Sequence, residues 1–198
     1  MLAIHPSVPA VSVKEFLAWA KAQGGRVSFG SVSPGTVSHF LSALMNSEYG
    51  TAMTHILYRG TGQVLPDLLG NRVQAGWLSA EPVRGLLEQG KLRALAVSAS
   101  ARTSVLPSVP SVLELGLPLL EAYAWSGLVA SARTPAPIVR QLALDVGRAL
   151  VAPEVTARVN DLGMHVTGGT TQDFVVKIAR ERDRWGRVVR DTGFSSQQ

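Results

Sequence analysis

Short apolar runs alternate in the first half of the chain with longer stretches in which apolar residues recur every three or four positions. The short runs predict β-strands at 27–30, 53–58, 73–78 and 92–98. The longer stretches predict helices at 36–49, 62–69 and 82–89. Because strands that alternate with helices are joined by right-handed crossovers, this pattern predicts an α/β fold with a doubly wound, mostly parallel sheet.

A further helix precedes these strands and has signals at both ends. Ser12 and Glu15 have the spacing of a capping box, and the glycines at 24 and 25 end the helix. Its apolar face consists of Val13, Phe16, Leu17 and Ala20. The sequence therefore predicts both ends of this helix.

The pattern changes after residue 102. Three prolines precede a long β-type stretch at 121–131, which we interpret as a crossing between two lobes. Thr134 is expected to cap a helix that starts at Pro135, and Thr170 to cap another together with Asp173. Helices are predicted at 138–150, 153–162 and 171–192, and only 164–167 has the pattern of a strand. Helices without a sheet to cover leave apolar faces exposed, so we expect surface that favours dimerisation or strand exchange.

The composition is typical of a folded globular chain. Of its 198 residues, 46% are hydrophobic and 17% are charged, which suits one large domain or two small ones. No apolar run approaches the roughly 20 residues that span a bilayer, and the first residues lack the features of a secretory signal. The absence of cysteine excludes disulfides and thiolate metal sites but leaves the compartment open.

The net charge of +5 does not indicate a nucleic-acid partner. Its densest part is an arginine cluster at 180–190 with interleaved acidic residues, a pattern typical of a solvated, ion-paired helix face. No basic stripe is interleaved with aromatic residues. The four histidines lack zinc-site spacing, and the glycine turns match neither a P-loop nor a dinucleotide fingerprint, so no metal and no cofactor are predicted.

The junction at 27–39 is the main candidate for a binding site. A short strand runs there through a turn of glycine, serine and proline into a long amphipathic helix. Such a junction directs unpaired backbone N–H groups and the positive end of the helix dipole to one point, which favours a carboxylate or phosphate. The residues expected to converge on one carboxylate are Ser31, Ser33, Gly35 and Thr36. Ordinary capping and turn chemistry is the alternative interpretation.

Several segments, in order along the chain, resemble the Bug (TctC-like) family of extracytoplasmic solute receptors of tripartite tricarboxylate transporters. They include HPSVP at 5–9, the turn at 30–36 with His39, YRG at 58–60, DLLG at 67–70, GKLRALAV at 90–97, LPSVPSV at 106–112 and WSGL at 125–128. The resemblance extends from residue 3 to about 194. It lacks the signal peptide and the first strand–loop–helix segment of the family, so an N-terminally truncated member is expected.

The resemblance implies a type II periplasmic-binding-protein-like fold. It places a ligand-binding α/β lobe at 5–120, a crossover strand or hinge at 121–131 and a mainly helical part of the other lobe at 132–198. It also implies a receptor rather than an enzyme, which holds a small carboxylated solute in the cleft between lobes. A dicarboxylate, an acidic amino acid or an aromatic acid would suit this role, with a membrane transporter as partner and a periplasmic location.

Other junctions supply further candidates for contact with the solute. They are Tyr58, Gly60, Ser79, Trp125 and Ser126. The Tyr58 hydroxyl could reach into the cleft, Gly60 would permit a close approach, and Trp125 could line the cleft near the hinge. His39 is expected to be a packed imidazole rather than a ligand.

Two other classes of function fit parts of the pattern. A LysR-like effector-sensing domain shares the two-lobed architecture, but the sequence contains no helix-turn-helix module. A small hydrolase would need a nucleophile–base pair, and the sequence indicates none. A nucleophile elbow would also need glycine at position 31, where Ser31 stands.

Overall fold

The structure is a computed structural model that describes residues 1–192. The chain divides into two compact units. Among the described residues, one consists of Met1–Ala124 together with 187–192, and the other is Trp125–Gly186.

The first unit is built on a single five-stranded sheet. Its strands are β1 Leu2–Ile4, β2 Ser28–Ser31, β3 Thr54–Leu57, β4 Ala75–Trp77 and β5 Arg93–Ala96. Their order across the sheet is β3-β2-β4-β1-β5, with β2 parallel to both β3 and β4. Strand β1 is antiparallel to β4 and β5 and was not predicted. The four predicted strands are confirmed apart from their ends. They all run in the same direction, as predicted, and β1, which runs opposite to them, makes the sheet mixed.

Helices cover both faces of this sheet. They are α1 Val13–Ala22, α2 Val37–Tyr49, α3 Thr61–Leu69 and α4 Arg84–Glu88, with short 3-10 helices at Glu81–Val83 and Pro118–Leu120. Phe29 lines a cavity with residues of α2, whereas a Cβ added at Gly30 would lie 3.0 Å from Val64 of α3. Because adjacent strand residues face opposite sides, α2 and α3 cover opposite faces of β2, as a doubly wound sheet requires.

The predicted capping box at the start of α1 is formed in a modified way. The Ser12 hydroxyl accepts a hydrogen bond from the backbone N–H of Glu15 at 3.2 Å, as expected. The Glu15 carboxylate, however, accepts from the N–H of Val11 at 2.8 Å rather than from that of Ser12. The side chain thus satisfies a backbone donor one residue earlier and still fixes the path of the chain into the helix.

The helices of the second half are α5 Ala136–Leu150, α6 Pro153–Asp161 and α7 Thr171–Thr192. Thr170 and Asp173 form the predicted reciprocal cap, because the N–H of each residue donates to the side chain of the other. The prediction for α5 is wrong by one residue. Its N-cap is Pro135 rather than Thr134, and the Pro135 carbonyl accepts from the N–H of Val139 at 3.2 Å.

The two remaining strand predictions are wrong, since neither 121–131 nor 164–167 forms a strand. The N–H of Ala122 donates to the Ser98 carbonyl at 2.7 Å, and the Ser98 hydroxyl donates to the Ala122 carbonyl at 2.9 Å. No ladder continues from this contact within residues 1–192. A β-type sequence becomes a strand only where another strand supplies its backbone partners.

The helices of the second half expose apolar side chains, as predicted. Neither α5 nor α6 has a buried residue. The large apolar residues exposed on α5 and α7 are Ile138, Leu142, Leu144, Val175, Val176 and Ile178. On the polar part of α7, Arg182 pairs with Asp183 at 3.0 Å, in keeping with a solvated, ion-paired face.

Candidate anion-binding site

The candidate site lies where β2 passes into α2. Ser31 ends the strand, and Thr36 is the N-cap residue of the helix, but its side chain makes no capping hydrogen bond. Gly35 has a φ of +67°, a conformation that favours glycine and allows the chain to turn into the helix. The local sequence therefore produces the predicted strand–turn–helix junction with a helix start that no side chain caps.

Part of the hydrogen-bonding capacity of the turn is used within the turn itself. The N–H of Val32 donates to the Ser38 hydroxyl, and the N–H of Gly35 donates to Nδ1 of His39, both at 3.3 Å. The Thr36 hydroxyl donates to the Ser33 carbonyl at 2.7 Å. The Gly35 amide and the Thr36 hydroxyl, both predicted to contact a solute, therefore already have protein partners.

The first backbone N–H groups of α2 are not used by the turn. An α-helix has no internal acceptor for its first N–H groups, and among residues 1–192 those of Val37 and Ser38 have no acceptor elsewhere. Both carry the partial positive charge of a helix start. The sequence indicated this junction and named Ser31, Ser33, Gly35 and Thr36; the amides of Val37 and Ser38 were not among the residues it named.

Ser31 is fully buried and hydrogen-bonded to a histidine. Its hydroxyl lies 2.5 Å from Nε2 of His55 on β3, and the His55 ring stacks on that of His39 with a centroid distance of 4.2 Å. Burial lowers the pKa of His39, and burial together with the neighbouring His39 lowers the pKa of His55 to about 4. Both imidazoles are therefore neutral at neutral pH. The expectation that His39 is a packed ring is confirmed.

This serine–histidine pair is a contact that the sequence did not indicate. Its distance would suit a nucleophile and a base, but Ser31 exposes none of its surface, so a substrate carbonyl has no access to it. A cavity of about 90 Å³ beside the pair is lined by Phe29, His39, Ser42, Ala43, Asn46, Met53 and His55. The hydrogen bond joins the end of β2 to β3.

Tyr58 lies at the end of β3, close to the same region, but its hydroxyl is already bound. It donates to Asp67 at 2.7 Å, and Asp67 also accepts from Arg72 at 2.8 Å. Burial and the hydrogen bond to Asp67 raise the pKa of Tyr58 to about 12. Gly60 is the N-cap residue of α3. Its φ of +130° is one that glycine adopts readily and other residues rarely do.

The other predicted contacts are spread over the two units. Ser79 is exposed, two residues after β4. Trp125 and Ser126 belong to the second unit, where the Trp125 ring packs edge-on against Phe174 with centroids 5.5 Å apart. Lys177 lies 5.5 Å from the centroid of the same ring. Contacts within its own unit therefore account for the position of Trp125.

Within residues 1–192, no three histidine or acidic side chains lie close enough together to hold a metal ion. Nor does that part of the chain contain a helix with the length and apolar character needed to cross a membrane.

Comparison with known proteins identifies relatives along nearly the whole chain. A family model described as the tripartite tricarboxylate transporter family receptor, TctC, matches residues 1–194. BugT of Bordetella pertussis is 32% identical over 193 residues, which cover 98% of this chain and 59% of BugT. This family is one of receptors, not of enzymes.

Solved structures show the same fold. The structure of R. palustris Rpa4515 with adipate matches with a TM-score of 0.85 and 28% identity, covering 98% of this chain and 64% of the other. MatC from Rhodopseudomonas palustris with bound malate matches with a TM-score of 0.82 and 30% identity, covering 96% and 65%. The predicted type II periplasmic-binding-protein-like fold is thereby confirmed. The chain spans less than two thirds of the length of each of these relatives.

Proposed function

The chain belongs to the TctC family of tripartite tricarboxylate transporter receptors, and from this premise we infer that it binds a small dicarboxylate at the start of α2. In this proposal one carboxylate accepts hydrogen bonds from the N–H groups of Val37 and Ser38. Binding involves no covalent step. The Ser31–His55 pair holds the strands beneath the turn rather than acting on the solute.

The observation that carries the proposal is the uncapped start of α2. Two adjacent N–H donors without protein acceptors, at the positive end of a 13-residue helix, form a site complementary to a carboxylate. A side chain such as aspartate at the N-cap would compete for these donors, but Thr36 makes no capping bond and directs its hydroxyl to Ser33. No capping side chain therefore occupies these donors.

The solutes bound by two relatives support the choice of substrate class. Rpa4515 was solved with adipate and MatC with malate, and both molecules are dicarboxylates. A dicarboxylate is therefore preferred over an acidic amino acid or an aromatic acid. By the same family membership, we propose a periplasmic location and a membrane transporter as the partner that receives the solute.

The domain assignment follows from this function. We propose that 5–120 is the ligand-binding lobe, that 121–131 is the connection between lobes and that 132–198 is part of the other lobe. The site proposed above lies within the first of these segments. The end of the last one lies outside the described residues.

The substitution Val37→Pro tests the role of one backbone N–H group. Proline at the first position of a helix is well tolerated, and Thr36, with φ of −89° and ψ of 165°, already has the conformation that proline requires of its predecessor. The substitution removes one N–H donor and leaves the helix intact. We expect calorimetry to show an affinity for adipate or malate about tenfold lower than that of the unchanged chain, the loss of one hydrogen bond to a charged group.

The matched control is Thr171→Pro, which makes the same change at the first residue of α7. This variant should bind the dicarboxylate as the unchanged chain does. Equal affinities for V37P and T171P would overturn the role of the α2 start. A chain that binds no member of a panel of malate, succinate, glutarate and adipate would overturn the proposed function itself.

A further inference from the structure

Trp77 carries a hydrogen-bond donor that has no protein partner. Only 3% of the residue is exposed, and its indole N–H finds no acceptor among the residues that the structure describes. An indole nitrogen can only donate, so no rotation of the ring converts it into an acceptor. Buried donors in folded proteins are nearly always paired, and an exception of this kind calls for an explanation.

The register of the sheet places Trp77 beside the candidate site. Gly30 of β2 pairs with Gly76 of β4 in a parallel ladder. One residue further along, Ser31 and Trp77 are therefore neighbours at the ends of their strands. This is the edge of the sheet from which the turn leads into α2.

The alternation of side chains assigns Trp77 to the face that α2 covers. A Cβ added at Gly76 would lie 3.6 Å from the side chain of Leu78, which belongs to the apolar cluster with Val64 of α3. Gly76 and Leu78 thus lie on the α3 side. Trp77, between them, lies on the opposite side. Helix α2 packs against β4 on that side, and its first turn is joined to the end of β2 by the Val32–Ser38 hydrogen bond.

We propose that the indole N–H of Trp77 is a solute-binding donor, which forms a hydrogen bond with an oxygen of the carboxylate held at the start of α2. This inference rests on the proposed function and adds a specificity-determining residue to it. The N–H can bind only an acceptor, so the ring favours a carboxylate oxygen and disfavours an ammonium group at this position. Because the nitrogen is covered by protein in this structure, the hydrogen bond forms together with a shift of the side chains around it.

Indole N–H resonances test this directly. The chain has four tryptophans, so ¹⁵N labelling of this residue gives four indole signals. The Trp77 signal is assigned by its loss in Trp77→Phe, and by through-bond experiments if that variant does not fold. We expect adipate or malate to move the Trp77 indole proton downfield, as a new hydrogen bond does, while the Trp19 signal stays in place.

Affinity provides the second measurement. Trp77→Phe keeps an aromatic ring and removes the donor, so it should bind adipate about tenfold more weakly than the unchanged chain. Trp19→Phe, on α1, is the matched control and should leave the affinity unchanged. If the backbone N–H signals of residues 35–38 respond to the dicarboxylate but the Trp77 indole does not, the inference is overturned while the proposed function stands. If neither responds to any dicarboxylate in the panel, the proposed function itself is overturned.

Discussion

At the scale of single residues, the stacked pair of His39 and His55 links the candidate turn to pH. In the folded chain the pKa of His55 is about 4, whereas an unfolded histidine titrates near 6.5. The unfolded chain therefore binds more protons in this interval. Folding is stabilised by the neutral ring above about pH 6.5, and this contribution is lost progressively as the pH falls from about 6.5 toward 4.

The substitution His55→Gln removes this titration. We expect the melting temperature of the unchanged chain to fall between pH 7 and pH 4.5, and to fall less steeply in the variant, because glutamine does not gain a proton. His165→Gln, at an exposed histidine, is the control and should keep the full slope. Thermal melts monitored by circular dichroism across this range provide the measurement. Identical slopes for H55Q and the unchanged chain would refute the assignment to His55.

Residue chemistry also separates what the sequence predicted of the site from what it missed. The glycine and serine turn correctly indicated the start of a long helix, and helix starts have unpaired N–H groups in every protein. Hydroxyl partners were not predictable, because Ser31 meets His55 only after β2 and β3 pair. The Tyr58 hydroxyl, expected to reach into the cleft, instead donates to Asp67 of α3, a contact set by how the chain turns from β3 into that helix.

At the scale of elements, the Ser12 cap offers a measurable contribution to stability. Ser12→Ala removes the acceptor for the Glu15 N–H, and we expect the free energy of unfolding in urea to fall by about 1 kcal/mol. Ser12→Asp keeps an acceptor and should retain most of the stability. If S12D loses as much free energy of unfolding as S12A, Ser12 does not stabilise the helix through this hydrogen bond.

The elements also show why local patterns succeeded for helices and failed for some strands. Helices such as α1 and α7 contain their own hydrogen bonds and caps, so their limits can be read from nearby residues. A strand depends on partners that are distant in sequence. Thus β1, only three residues long, escaped prediction although it is fully buried between β4 and β5, and 121–131 has the composition of a strand without forming one.

At the scale of the whole molecule, the apolar side chains of α5 predict self-association. Ile138 and Leu142 are each half exposed and lie one turn apart on one face of the helix. Exposed apolar clusters of this kind promote contact between chains. We expect light scattering coupled to size exclusion to show a mass that rises with protein concentration.

The double substitution Ile138→Gln, Leu142→Gln should shift the measured mass toward that of a single chain, 21.0 kDa. Arg140→Gln, on the same helix, provides a control that changes a polar residue and should leave association unaltered. A single-chain mass for the unchanged protein at all concentrations would contradict the prediction.

The position of β1 has a consequence for how the molecule reaches its native state. Residues 2–4 are synthesised long before residues 75–77 and 93–96, with which they pair on either side. The β4-β1-β5 part of the sheet therefore cannot form until residue 96 has left the ribosome. Contacts so distant along the chain are slow to form. Nascent molecules consequently pass through a period in which Leu2 and Ile4 are accessible to chaperones.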